Sequence, residues 1–447
     1  MHKKIFRFLV LMAVAMVLKF NIVEAQGNLP STIRVGLFYD NTSKTSYTLS
    51  ADAGFVIGVK RQNSFIPLCD LPEKTITVTI KPGSSASINT DALKNLTLSG
   101  KYVEFKGQSS SALVNIPLPV DAPLYVKSAK DDIFLSLNGK RYRGVIEFLP
   151  SSNGGLTAIN ELGLEEYLYG VVPNEMPSSW PMEALKAQAV AARSYAVYTV
   201  LQKAGKASFD VTSGTSDQVY SGYDGEQPRT NEAVDATRGQ VLMYQGKPAL
   251  ALFHSNSGGI TENSGDAFST QLPYLISVED KFSLLAPNCS WVEKIPRTQI
   301  YDLEILERSA SGRVKKILIS GKDGDKVLSG AEIRSTLQLK SNLFEVAKES
   351  VFYVTADGVD VMPMDQLKGK TAVSGDKQGI LSVSEVHIIG SQGSKKFPLT
   401  EGYIEIRGKG SGHGVGMSQW GAKVMAENGY TYEDILLHYY TGVELNF

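Results

Sequence analysis

Residues 169–181 read YGVVPNEMPSSWP and set one glutamate, Glu175, among Val171, Val172, Pro173, Met176, Pro177 and Trp180. A carboxylate held among apolar side chains has its charged form disfavoured and its pKa raised. That is the state a general acid needs, so Glu175 is the leading candidate for acid/base chemistry. Two isolated histidines in glycine-rich loops, His254 and His413, come next, together with the amides and hydroxyls of Gln218, Tyr220, Asn256, Ser418 and Gln419. Groups of this kind grip sugars.

Other chemistries lack their residues. The loop GKGSGHGVG, residues 408–416, has neither the GK[ST] ending of a phosphate cradle nor a GxGxxG spacing after a βαβ strand. No G-x-S-x-G elbow directs a serine nucleophile, which leaves Ser255, Ser257 or Ser418 with His254 or His413 as an undirected hydrolase alternative. The five histidines, His2, His254, His387, His413 and His438, form no HExxH or similar pair, and Cys69 and Cys289 stand far apart with no CxxC. Neither a metal nor a cofactor is expected. The two cysteines suit one bridge or two inert thiols.

The first 25 residues carry Lys3, Lys4 and Arg7, an apolar run Phe8–Leu18, Lys19 and the small-x-small ending Val23-Glu24-Ala25, the layout of a cleaved signal peptide. The run is about half of the ~20 residues that cross a bilayer, so a membrane anchor over residues 5–23 is the weaker alternative. Loss of residues 1–25 removes four bases and Glu24, leaving 41 basic against 45 acidic residues and a net charge of about −4. With no block of like charge, nucleic acid and anionic membranes are poor partners. A secreted or cell-wall location is expected, with no transmembrane segment after cleavage.

The elements that must position these groups read as an α+β chain. Residues 28–130 show short β-branched and aromatic runs such as IRVGLFY and KTITVTI between turn residues, a β-rich accessory module. Residues 131–447 form the mixed domain that carries the candidate residues, with a β-rich insertion at 296–400. The pattern predicts a helix at 164–169 stopped by Pro173, and an Ala-rich central helix from Ser179 to Gly205 with Leu185, Ala189, Ala192, Ala196 and Val200 on its buried face. A hairpin around Gln245-Gly246 delivers His254-Ser255-Asn256-Ser257-Gly258-Gly259. Helices are expected at Gly330–Leu337, Leu343–Val346, Met417–Asn428 and Thr431–Tyr440, the last with Thr431 as N-cap.

Four stretches, LGLEEYLYGVVPNEMPSSWPMEALKAQAVAARSYAV, SDQVYSGY, FHSNSGGITEN and GSGHGVGMSQWGA, occur in that order, and with them residues 130–447 resemble the SpoIID/LytB (stage II sporulation protein D) family. The resemblance implies a peptidoglycan lytic transglycosylase that cleaves glycan strands lacking stem peptides, with Glu175 as the catalytic glutamate of the EMP motif. One carboxyl group suffices: as an acid it protonates the glycosidic oxygen, and as a base it takes the proton of the muramic acid 6-hydroxyl, which closes a 1,6-anhydro ring. The expected substrate-binding set is Gln188, Arg193, Gln218, Tyr220, His254, Ser255, Ser257, Gly258, Gly259, His413, Gly414, Ser418 and Gln419. For Arg193 a structural salt bridge competes with substrate contact, and His438 suits packing. Some relatives place Cys and His zinc ligands around the segment that here reads SGTSDQVYSGY, where this chain has Asp217 and no cysteine. The alternative implied by the LytB half of the family is a non-catalytic peptidoglycan-binding enhancer of a cell-wall amidase, which would make that amidase a partner.

Overall fold

The computed structural model describes residues 29–446 apart from 62–63, 88–92, 94–95, 109–111, 121, 131–133, 288, 297–299, 348–370, 375–376, 381–384, 391–392 and 399–402. The expected signal peptide lies outside the described residues, and so does the side chain of His387. The chain divides into two units, residues 1–251 with Val443–Phe447, and Leu252–Gly442.

In the first unit, strands arise where apolar residues alternate with polar ones. Ile76, Val78 and Ile80 turn inward along Thr75–Pro82 while the threonines and Lys81 between them stay part-exposed. A seven-stranded sheet runs in the order Val211–Thr212, Thr32–Phe38, Leu156–Gly163, Val145–Pro150, Leu124–Ser128, Phe55–Arg61 and Ser64–Leu71. Thr32–Phe38 pairs antiparallel with Leu156–Gly163, and Leu124–Ser128 with Val145–Pro150. The sheet therefore crosses the boundary expected at residue 130. Arg34 adds a bidentate ion pair to the buried Glu147, with Nη2 and Oε2 2.6 Å apart. A second, six-stranded sheet runs from Lys140–Tyr142 through Leu135–Leu137, Ser46–Ser50, Thr75–Pro82 and Leu98–Gly107 to Leu113–Pro119.

The helices follow the first sheet. Leu164–Tyr169 ends at Gly170, and Pro173 sits in the first turn of a separate four-residue helix, Val172–Glu175. The expected stop is thus a start, because a first-turn position has no N–H bond to lose. The central helix spans Met182–Lys203. Its buried residues run from Ala184 through Ala187, Gln188, Val190, Ala191 and Arg193 to Val197, so it is enclosed on nearly all sides instead of along one face. Small alanines let neighbouring backbones come close all round it. The hairpin turn at Gln245 and Gly246 has φ of 49° and 74°, the left-handed pair that a two-residue hairpin requires.

The second unit holds a core of Trp291, Leu303, Ile317, Leu328, Ile333, Phe344 and Ile406. Two three-stranded sheets supply it, one of them Ser290–Pro296, Tyr403–Lys409 and Phe344–Ala347. Residues 343–346, expected as helix, instead form the strand Phe344–Ala347, a four-residue segment whose pairing with Tyr403–Lys409 outweighs local preference. Ala331–Leu337, Gln419–Glu427 and Tyr432–Tyr439 are helical, the last two capped by Ser418 and Thr431. No helix among the described residues is long and apolar enough to cross a membrane.

Candidate functional site

Glu175 is the last residue of Val172–Glu175. Val171, Val172 and Met176 are fully enclosed and Trp180 nearly so, whereas Asn174 is exposed and Glu175 part-exposed. The apolar residues around Glu175 in sequence are therefore core, while Glu175 itself is part-exposed. Its loop is pinned on both flanks. Asn174 Nδ2 donates to the carbonyls of Gly170 at 2.7 Å and Val219 at 3.2 Å, while its Oδ1 accepts from Ser221 Oγ at 2.9 Å. Arg229 Nε and Nη2 donate to the carbonyls of Ser178 and Trp180 at 2.9 and 3.0 Å.

Other polar side chains of the first unit are held internally. Tyr167 Oη donates to Gln218 Oε1 at 3.1 Å, and Gln218 Nε2 reaches the carbonyl of Ala192 at 3.4 Å. Burial first, then the charge of Asp217 and more weakly that of Glu175, hold the Tyr167 phenol well above its usual range. Tyr220 Oη donates to Asn160 Oδ1 at 2.8 Å. Asp217 accepts from Tyr195 Oη and from the backbone of Thr212, a structural tie within the SDQVYSGY segment. Gln188 is fully enclosed.

Arg193, also fully enclosed, forms a bidentate pair with Glu165 at 2.9 and 2.6 Å and donates to the carbonyls of Val234 and Gln240. Of its two expected roles, this geometry is that of the structural salt bridge. Glu165→Ala would strand a buried guanidinium, and the expected loss is about 3–5 kcal/mol of unfolding free energy in urea denaturation. A loss below ~1 kcal/mol would mean that the pair behaves as a solvated surface bridge.

In the second unit, Phe253–His254 pairs in parallel with Met417–Ser418. His254 Nδ1 lies 3.1 Å from the carbonyl of Val415, so that nitrogen carries the proton and Nε2 keeps a lone pair, buried and without a partner among the described residues. His413 Nδ1 accepts from the Val415 amide at 3.1 Å, and the two imidazole rings lie 5.5 Å apart. The glycines of the loop make this fit. A Cβ at Gly412 would meet His254 Cβ at 2.9 Å, and one at Gly414 would meet the Arg313 guanidinium at 2.5 Å; both residues have positive φ.

Burial, reinforced by His413 and Arg313, pushes the His254 pKa well below its usual value, and burial with Arg334 brings His413 down to about 4. Both are neutral when folded, while the same imidazoles in an unfolded chain titrate near ~6.5. Below that pH the unfolded chain binds more protons, so stability present above about 6.5 is lost as pH falls towards 4. Thermal melts across this window should show the loss in the wild type and a shallower one in His254→Asn. Equal slopes would contradict it.

Ser257 Oγ donates to Asp280 Oδ2 at 2.7 Å and lies 2.7 Å from Ser283 Oγ; Ser418 Oγ accepts from the amides of Ser257 and Gly421. These hydroxyls are internal pegs. Of the expected site residues, Glu175, Ser255, Gly259 and His413 are part-exposed, while Gln188, Arg193, Gln218, Tyr220, His254, Ser257, Gly258, Gly414, Ser418 and Gln419 are buried and suited to positioning. Among the described residues no three His, Cys, Asp or Glu side chains are grouped to hold a metal ion. Cys69 and Cys289 are free thiols, and burial raises both, Cys69 to about 11. Asn174 and Arg229 were not legible as site residues: Asn174 reads as a turn residue, and nothing in sequence ties Arg229 to the Glu175 loop.

Residues 152–244, which include Glu175, Gln188, Arg193, Gln218 and Tyr220, match the family described as stage II sporulation protein, SpoIID. The chain is also 31% identical over 317 residues to the stage II sporulation protein D of Bacillus amyloliquefaciens, covering 65% of this chain and 76% of that protein. The chain belongs to the SpoIID family. Family similarity extends to an uncharacterized protein of Brachyspira hyodysenteriae, 32% identical over 326 residues, or 69% of this chain and 73% of that one. It also reaches the amidase enhancer of Bacillus subtilis, 31% identical over 333 residues, which are 70% of this chain but 45% of the enhancer. A second match, to a domain of unknown function, covers residues 271–360, and the His254 and His413 loops lie outside both matches.

Proposed function

We propose that this SpoIID-family chain is an exported lytic transglycosylase of peptidoglycan glycan strands, with Glu175 as its acid/base. The observation that carries the reading is a part-exposed glutamate on a backbone pinned on both sides by Asn174 and Arg229. A general acid needs both access to the leaving oxygen and a fixed position. Glu175 gives its proton to the glycosidic oxygen between muramic acid and glucosamine as the bond to the anomeric carbon breaks. The carboxylate then takes the proton of the muramic 6-hydroxyl, whose oxygen closes on that carbon. The proton returns to Glu175, and the products are a 1,6-anhydro end and a free sugar hydroxyl.

Similarity to the amidase enhancer favours a second reading, a wall-binding enhancer of an N-acetylmuramoyl-L-alanine amidase. The two differ in what the purified chain does alone. Incubated with glycan strands stripped of stem peptides, a transglycosylase yields fragments with anhydro ends by mass spectrometry. An enhancer leaves the strands intact until an amidase is added.

A further inference from the structure

We propose that Glu147 and Glu161, on one face of the seven-stranded sheet, hold a single proton between their carboxyl groups and release it as pH rises, a proton switch built into the first unit. The sheet brings the two together. Glu147 pairs with Ile159 and Glu161 with Val145, so the glutamates are diagonal neighbours on adjacent antiparallel strands, with their side chains on the same face. Their carboxyl groups lie within hydrogen-bonding reach of each other. Ionised carboxylates only accept, so a bond between these two requires a proton on one of them. The Glu147 side chain is fully enclosed, and that of Glu161 is 15% exposed.

The charges around the pair favour keeping that proton. From Thr32–Phe38, Arg34 forks onto Glu147, while its backbone amide donates to Asp210 at 2.9 Å. From Phe55–Arg61, Lys60 pairs with Glu161, and its ammonium lies 4.6 Å from the ring centroid of Tyr125, the residue opposite Glu147 in Leu124–Ser128. Lys127, on the same face of that strand, lies 5.2 Å over the Phe65 ring. Lys203 acts on Asp210 and stands 3.9 Å from Asp217. Arg34, Lys60 and Lys203 thus meet the four carboxyl groups of Glu147, Glu161, Asp210 and Asp217, and a retained proton balances the set.

Burial, opposed by Arg34 and reinforced by Glu161, raises the Glu147 carboxyl to about 7, and the proton belongs to the pair. A glutamate in an unfolded chain titrates near ~4.3. Between these values the folded chain binds more protons than the unfolded one, so stability that is complete below ~4.3 is lost as pH rises through about 7. His254 and His413 respond in the opposite direction, because their contribution is lost as pH falls. The two units therefore carry opposed responses to acid.

The test is urea denaturation of the full chain, wild type against Glu147→Gln, at about pH 5 and about pH 8. Glutamine keeps the shape of the protonated acid and does not titrate, and the imidazoles are common to both proteins, so their ratio isolates the glutamate pair. The unfolding constant of the variant divided by that of the wild type is expected to fall by about tenfold or more between the two pH values. A ratio that stays constant or rises overturns the proposal. Should Glu147→Gln fail to fold, infrared spectra of the wild type labelled with carbon-13 at the glutamate carboxyl groups decide. A protonated-glutamate band present at about pH 6 and gone by about pH 9 is expected, and its absence at the lower pH overturns the proposal.

Discussion

Glu175→Gln is expected to lower the rate of glycan cleavage by about 100- to 10,000-fold while leaving the fold intact. The amide has the shape of the carboxyl group but neither gives a proton to the glycosidic oxygen nor takes one from the attacking hydroxyl. Because Gln matches Glu in size and Glu175 is part-exposed at the helix end, the substitution leaves the enclosed Val171, Val172 and Met176 in place. Thermal melts of the two proteins should coincide. An equal loss of activity and stability would mean that the residue supports structure, and full activity would mean that another group supplies the proton.

The second large effect is structural. Removal of residues 29–130 is expected to leave no cooperatively folded first unit, although the sequence alone reads that stretch as a separable module. The deletion takes Thr32–Phe38, Leu124–Ser128, Phe55–Arg61 and Ser64–Leu71 out of the seven-stranded sheet. It strips both long edges of the hairpin formed by Val145–Pro150 and Leu156–Gly163, uncovers Ile146, Phe148 and Leu162, and leaves Glu147 without Arg34. Exposure of each large apolar side chain costs roughly 1.5–3 kcal/mol, against a total stability of about 5–15 kcal/mol for a domain. Circular dichroism melts of the truncated chain should lack a transition for this unit; a transition matching the full chain would restore the accessory-module reading.

That contrast shows what the sequence makes legible. Features written in neighbouring residues can be read directly: the Ala-rich helix, the Gln245-Gly246 turn, the Thr431 cap and the α+β character. Strand partners cannot, because a pairing such as Ile33 with Leu162 depends on burial shared across the chain. Phe344–Ala347 was misread for the same reason, as its state is set by Tyr403–Lys409. Among the candidate residues of the two units, Glu175, His254 and His413 stand out by type and setting. The burial of Arg193, Gln218 and Ser257 and the clamp from Arg229 arise only when distant segments meet. The glycines at 412 and 414 show their spacing in sequence, but the imidazole and guanidinium they admit are visible only in three dimensions.

The central claim is that Glu175 directs an attack by the substrate's own hydroxyl and not by water. Digestion of stripped glycan strands in heavy-oxygen water, followed by mass spectrometry of the new ends, tests it most directly. The account predicts anhydro ends carrying no label, formed by the wild-type chain and not by Glu175→Gln. New reducing ends that carry one heavy oxygen would contradict it and identify a hydrolase instead.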